Sequence, residues 1–190
     1  MEIGETLDVE TRREWRAWLA RHHRSAREIW LVYYKKSSGR KRIPYDDAVE
    51  EALCYGWIDS IAKTIDEDRY AQRFTPRRAG SKLSELNRER VRRLVRAKRM
   101  TRSGLESLGS TFDIEKDMEP EPPWKVPPAI LRRLREDPVV WANYQAFPDA
   151  YRRIRIGWIA AAASRPEVYE KRLQYFLKKT ARNERYGTIP

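Results

Sequence analysis

A chain of 190 residues with 41% hydrophobic content can bury one good core, or one core and a small helical unit. It contains no run of about 18 uncharged apolar residues, which excludes an apolar helix crossing a membrane, and its single cysteine excludes an internal disulfide. The net charge of +12 is concentrated: residues 73–102 hold 12 basic and 2 acidic side chains, against 13 and 14 in 1–72, 2 and 6 in 103–128, and 13 and 6 in 129–190.

The opening "MEIGETLDVETRREW" carries acids where a signal peptide would carry a basic start and an apolar stretch, which points to the cytoplasm. Within "TRREWRAWLARHH", Thr11 and Glu14 stand at capping-box spacing, and Trp15, Trp18, Leu19 and His22 recur at helical spacing. A first helix with an aromatic inner face follows from this. "EIWLVYYKK" is the clearest strand, rich in β-branched and aromatic residues and apolar on both faces, hence central in its sheet. After the basic loop "SSGRKR", Pro44 introduces a helix with Asp46 and Asp47 in its first turn and Gly56 at its exit. The pairs Asp46–Asp47 and Glu50–Glu51 are read as a solvated outer helix face. Cys54, inside "ALCYGW", is read as a small core residue.

A hairpin comes next. With "DEDR" (66–69) as the loop, Ile65 faces Tyr70 and Ile61 faces Phe74, and Trp57 and Asp59 share that inner face. "SKLSELNRERVRRLVRAKRM" predicts a long helix with Ser81 or Ser84 as N-cap and a buried stripe of Leu83, Leu86, Val91, Leu94 and Val95. Arg88, Arg92, Arg96 and Arg99 form a second stripe at steps of 4, 4 and 3, expected to face solvent as a basic surface. Thr101 can cap a short following helix. Residues 109–128 hold five of the eleven prolines and several acids and read as an extended linker. Prolines 128, 138, 148 and 166 then fall where helix first turns begin, with Asp137 as an N-cap. In the last helices Tyr151, Ile154, Trp158 and Ile159, then Tyr169, Leu173, Phe176 and Leu177, are the expected buried residues. The predicted organisation is an α+β domain over 1–108 with a small antiparallel or mixed sheet, a linker over 109–128, and a helical segment over 129–190.

No nucleophile elbow, P-loop or dinucleotide fingerprint is present, and two adjacent histidines with one cysteine make no zinc site. No cofactor, metal or catalytic residue is therefore assigned. The candidate binding set is Trp57, Asp59, Arg73, Phe74, Arg77, Lys82, Asn87 and Arg90. Hairpin pairing would gather the first five, and the following helix would supply an anion-favouring N-terminus. Arginine forks suit phosphate or carboxylate, and tryptophan offers a stacking face. The competing reading pairs Asp59 with Arg73 or Arg77 and buries Trp57 in the core, where the set would only hold the hairpin.

"WLVYYKK", "AVEEALCYGWIDS", "DRYAQRFTPR" and "NRERV", with "YRRIRIGWI" and "RPEVYEKRL" near the end, resemble in order the YdeI/OmpD-associated, or bacteriocin-protection, family. The resemblance covers residues 11 to about 108 and extends to the C-terminal helices. It implies a role in tolerance to bacteriocins, antimicrobial peptides or stress, with a porin as partner. A chain of charge +12 repels a cationic peptide, so charge favours an anionic partner. Two classes remain open: a cytoplasmic binding protein for an anionic partner, nucleic acid included, or a small-molecule-binding protein or enzyme using a Trp57/Asp59/Arg77 cleft.

Overall fold

The computed structural model describes residues 2–119 and 124–187, so positions 120–123 of the acidic proline-rich stretch lie outside the described residues. The chain divides into two compact units: Met1–Lys82 with Arg90–Asp113, and Leu83–Glu89 with Ile114–Pro190.

The first unit is built on a four-stranded mixed sheet. Its strands are β1 (Thr6–Leu7), β2 (Ile29–Tyr34), β3 (Trp57–Thr64) and β4 (Arg69–Pro76), in the order β1-β2-β4-β3. β1 runs parallel to β2, and the other pairings are antiparallel. All six residues of β2 are buried, as expected of a central strand whose two faces are both apolar. Ile29, Leu31 and Tyr33 share a core with Trp15 and Leu19 of α1 (Arg12–His22) and with Ala48, Val49, Ala52 and Leu53 of α2 (Tyr45–Cys54).

Local chemistry sets the helix limits. Thr11 and Glu14 form the capping box at the start of α1. Past the C-terminal end of α2, Gly56 adopts φ +77°, a left-handed conformation that favours glycine. Ser84 accepts from the Asn87 amide at 3.2 Å and starts α3 (Glu85–Arg96). Thr101 caps α4 (Arg102–Leu108), and its hydroxyl also donates to the Cys54 carbonyl at 2.6 Å. That contact draws α4 so close to the end of α2 that a Cβ on Gly104 would lie 2.2 Å from the Cys54 oxygen.

The hairpin is present, but its register differs from the one expected. Thr64 pairs with Tyr70 and Ala62 with Gln72, whereas Asp59 pairs with Phe74 and Trp57 with Pro76. Between these stretches Ser60 and Ile61 stand opposite Arg73 alone, a bulge that adds one residue to β3. Ile61 does not face Phe74; it is 43% exposed. Alternation fixes which face a residue takes only while the ladder is unbroken, and a bulge resets it.

The second unit is helical. It holds the first turn of α3 and α5 (Ile114–Asp117), α6 (Pro128–Arg135), α7 (Pro138–Ala146), α8 (Asp149–Ala160) and α9 (Pro166–Ala181). Proline stands at the first position of α6, α7 and α9, and Asp137 accepts from the amides of Val139 and Val140. Ile130, Leu134, Tyr144, Tyr151, Ile156, Ile159, Leu173 and Phe176 form its core. Trp158, expected inside, is 38% exposed, and Ile156 is buried in the same helix. Residues 109–119, expected as extended linker, form a 3-10 turn at Gly109–Thr111 and the short α5, whose Asp117 pairs with Arg88. The architecture is thus α+β with a C-terminal helical segment.

Candidate functional site

The expected binding set does not converge. Trp57 is 1% exposed, its indole donates to the His23 carbonyl at 3.0 Å, and it meets Trp18 edge-on at 5.7 Å. Phe74 is fully buried against Trp15. Both are core residues. Asp59 pairs with neither Arg73 nor Arg77: it accepts from the Tyr45 hydroxyl at 2.5 Å, and Arg73 donates to Glu28 at 2.9 Å. Arg90 is buried and pairs with Asp46. Lys82 is exposed, and Asn87 is half-buried in the first turn of α3.

The arginine stripe is not a solvent-facing row. Arg92 is 4% exposed. Arg88 pairs with Asp117, and Arg99 pairs with Glu51. Lys98, at φ +53°, turns the chain after α3, so Arg99 does not continue the helical spacing. Arg96 alone of the four is exposed.

The acids of α2 explain much of this. Glu51 is wholly buried and Glu50 nearly so, contrary to the solvated face expected. Arg12 reaches Asp47 at 3.0 Å, Glu50 at 2.8 Å and Glu51 at 2.5 Å. Arg16 reaches Glu51 at 2.6 Å, Arg93 pairs with Glu50, and Arg99 closes on Glu51. Carboxylates removed from water require such partners. Matched spacings could have signalled the network: Arg12 and Arg16 one turn apart on α1, Glu50 and Glu51 on α2, Arg90 and Arg93 on α3.

Two polar features of the first unit stand apart from this network. Arg77 is 8% exposed; one guanidinium nitrogen donates to the Ser81 carbonyl, while Nε and Nη1 are buried without an acceptor. Desolvation pushes its pKa below the ordinary arginine value. The second is a tyrosine cluster that sequence reasoning missed. Tyr33 stacks on Tyr70 at 5.2 Å, and Arg42 donates to the Tyr70 hydroxyl at 2.9 Å. The Tyr33 hydroxyl is buried with no partner, and burial pushes its pKa well up. Tyr45 is raised as well, by burial and by its bond to Asp59. Only the pairing of β2 with β4 puts Tyr33 opposite Tyr70. Cys54 is buried and desolvation raises its thiol, as befits a core residue.

No helix among the described residues is long and apolar enough to cross a membrane. A family model described as a domain of unknown function (DUF8412) matches residues 7–107, just over half of the chain. The model described as bacteriocin-protection, YdeI or OmpD-associated matches residues 124–183, the stretch that forms α6 to α9. The resemblance to this family expected over residues 11 to about 108 is not matched by its model there, where the DUF8412 model matches instead; the family's own match falls on the closing helices. No curated protein matches the chain, and no solved structure does. The chain belongs to the family of the DUF8412 domain, and its C-terminal helices, residues 124–183, match the YdeI/OmpD-associated, bacteriocin-protection family model.

Proposed function

We propose that this protein is a binding protein rather than a catalyst, taking an anionic partner in a reducing, cytoplasmic setting and serving antimicrobial or stress tolerance. The family description, bacteriocin protection, supports the last part. Arg77 carries the anionic partner. A buried guanidinium with two nitrogens unmatched costs several kcal/mol unless a counter-charge reaches it. No acid among the described residues pairs with Arg77, and Arg78 and Lys82 stand exposed in the same loop. An anion with several acceptor oxygens, phosphate above all, meets that need.

The test is a thermal shift of the full chain with inorganic phosphate and pyrophosphate. Ligand at about 100 times its Kd adds about 2.7 kcal/mol of stability. The melting temperature should rise with either anion, and Arg77→Met should abolish the rise while melting at least as high without anion. Equal shifts in both proteins would refute the reading.

A second reading rests on the Tyr33 hydroxyl. Its orphaned position near Tyr45, Asp59 and Arg42 suits the polar group of a small molecule. That site would replace the Trp57/Asp59/Arg77 cleft, whose members make separate contacts.

A further inference from the structure

The helical unit displays aromatic rings and cations on one surface. Trp158 on α8 is 38% exposed and Tyr175 on α9 is 45% exposed. Tyr186 joins them edge-to-face, 6.5 Å from Trp158 and 4.8 Å from Tyr175. Arginines hold the rings: Arg172 lies 4.3 Å over the Trp158 indole and donates to the Trp158 carbonyl at 2.5 Å, and Arg155 lies 4.3 Å over Tyr186. Large aromatic rings are exposed here, yet fixed in orientation by their neighbours.

The cations follow the same helix. Lys171, Tyr175, Lys178 and Arg182 recur at steps of 4, 3 and 4 and are all exposed, so one face of α9 carries two positive charges and a ring, and the residue that caps its C-terminal end adds a third charge. They span about 16 Å at 1.5 Å per residue. Lys171 and Lys178 have no carboxylate partner among the described residues, whereas Glu184, paired with Lys179 at 2.5 Å, lies near Arg182. Partial burial and, to a lesser degree, the nearby Arg165 push the pKa of Arg172 down. Residues 129–190 as a whole hold 13 basic and 6 acidic side chains.

We infer that this α8–α9 face binds single-stranded nucleic acid, with Trp158 and Tyr175 offering rings to unpaired bases and Lys171, Lys178 and Arg182 following the phosphates. Stacked aromatics interleaved with cations suit a single strand, because only unpaired bases expose their faces. A duplex would use the cations and leave the rings idle. A lipid surface would want free aliphatic side chains, but Leu173 and Phe176 of the same helix are buried in the core. The inference goes beyond the anion site at Arg77 and rests on different residues in the other unit.

Fluorescence anisotropy of labelled oligothymidylate and oligouridylate, set against a duplex of equal length and vesicles containing phosphatidylglycerol, tests this on the full chain. The single strands should bind at low salt, at least several-fold tighter than the duplex. Tyr175→Ala should weaken them on the order of ten-fold, within the range of one lost stacked base, and the duplex hardly at all. Lys171→Glu with Lys178→Glu, both exposed, should lower the salt slope by about 1.4, since each phosphate contact contributes about 0.7 for single strands. Circular dichroism melts of the variants separate lost contact from lost folding. Absence of single-strand binding at low salt overturns the inference, as does equal affinity for the duplex with no effect of Tyr175→Ala, or preference for the vesicles. The thermal shift with phosphate that tests Arg77 is a separate measurement, so either reading can fail alone.

Discussion

Arg12 donates through Nε to Glu51 at 2.5 Å, joining α1 to a carboxylate with no solvent exposure across 39 positions of sequence. The same carboxylate receives Arg16 and Arg99, so three guanidinium groups meet at one buried acid, with Arg12 also reaching Asp47 and Glu50. Glu51→Gln keeps the shape and removes the charge. Losing one member of a buried pair costs about 3–5 kcal/mol, and the partial exposure of the three arginines discounts this to about 2–4. Urea unfolding reads the loss. A change below about 0.5 kcal/mol would mean that solvent, not Glu51, neutralises these arginines.

Trp57→Ala distinguishes packing from ligand contact. The indole is buried and its N–H satisfies the His23 carbonyl, so truncation should cost about 3–5 kcal/mol. Near-wild-type stability in the same urea melt would return Trp57 to the list of ligand contacts.

Arg92 and Arg96 belong to one sequence pattern but differ in burial. Arg92→Glu places an acid where 4% of the residue is exposed and should cost several kcal/mol. Arg96→Glu, at an exposed position, should change stability by about 0.5 kcal/mol or less. Paired thermal melts compare them, and similar midpoints for the two variants would contradict the burial difference.

Alkaline pH reports on the tyrosine cluster. Burial raises the folded pKa of Tyr33 above the ordinary tyrosine value near 10. The folded state therefore keeps its proton after the unfolded state has begun to lose it. The associated stability is complete below about pH 10 and falls as the pH rises further. Tyr33→Phe should flatten that alkaline fall. It should leave the melting temperature at pH 7 unchanged or higher, because the hydroxyl it removes has no partner. A marked loss of stability at pH 7 would show instead that the hydroxyl is satisfied in the folded protein.

Local chemistry fixed the elements of this protein and could be read directly. Thr11 with Glu14, Asp137 before Pro138, Ser84 and Thr101 each mark a helix start through backbone donors that a nearby side-chain oxygen satisfies. The apolar run of β2 announced a strand buried on both faces, because every residue in it avoids water. Tertiary structure alone decided what the charged and aromatic side chains do. Spacing along α3 gives the direction of Arg88, Arg92 and Arg96 about the helix axis, but not which acid lies opposite. Asp117 and the carboxylates of α2 come from distant parts of the chain, and their pairing turned an expected basic surface partly inward. The β3 bulge likewise follows from how two strands meet, and so moved Ile61 out of the face its alternation implied. Trp158 has the same hydrophobicity in the sequence whether buried or exposed, and it faces outward because Ile156 and Ile159 fill the core of its unit. Periodicity belongs to one segment of chain, whereas burial and pairing depend on two.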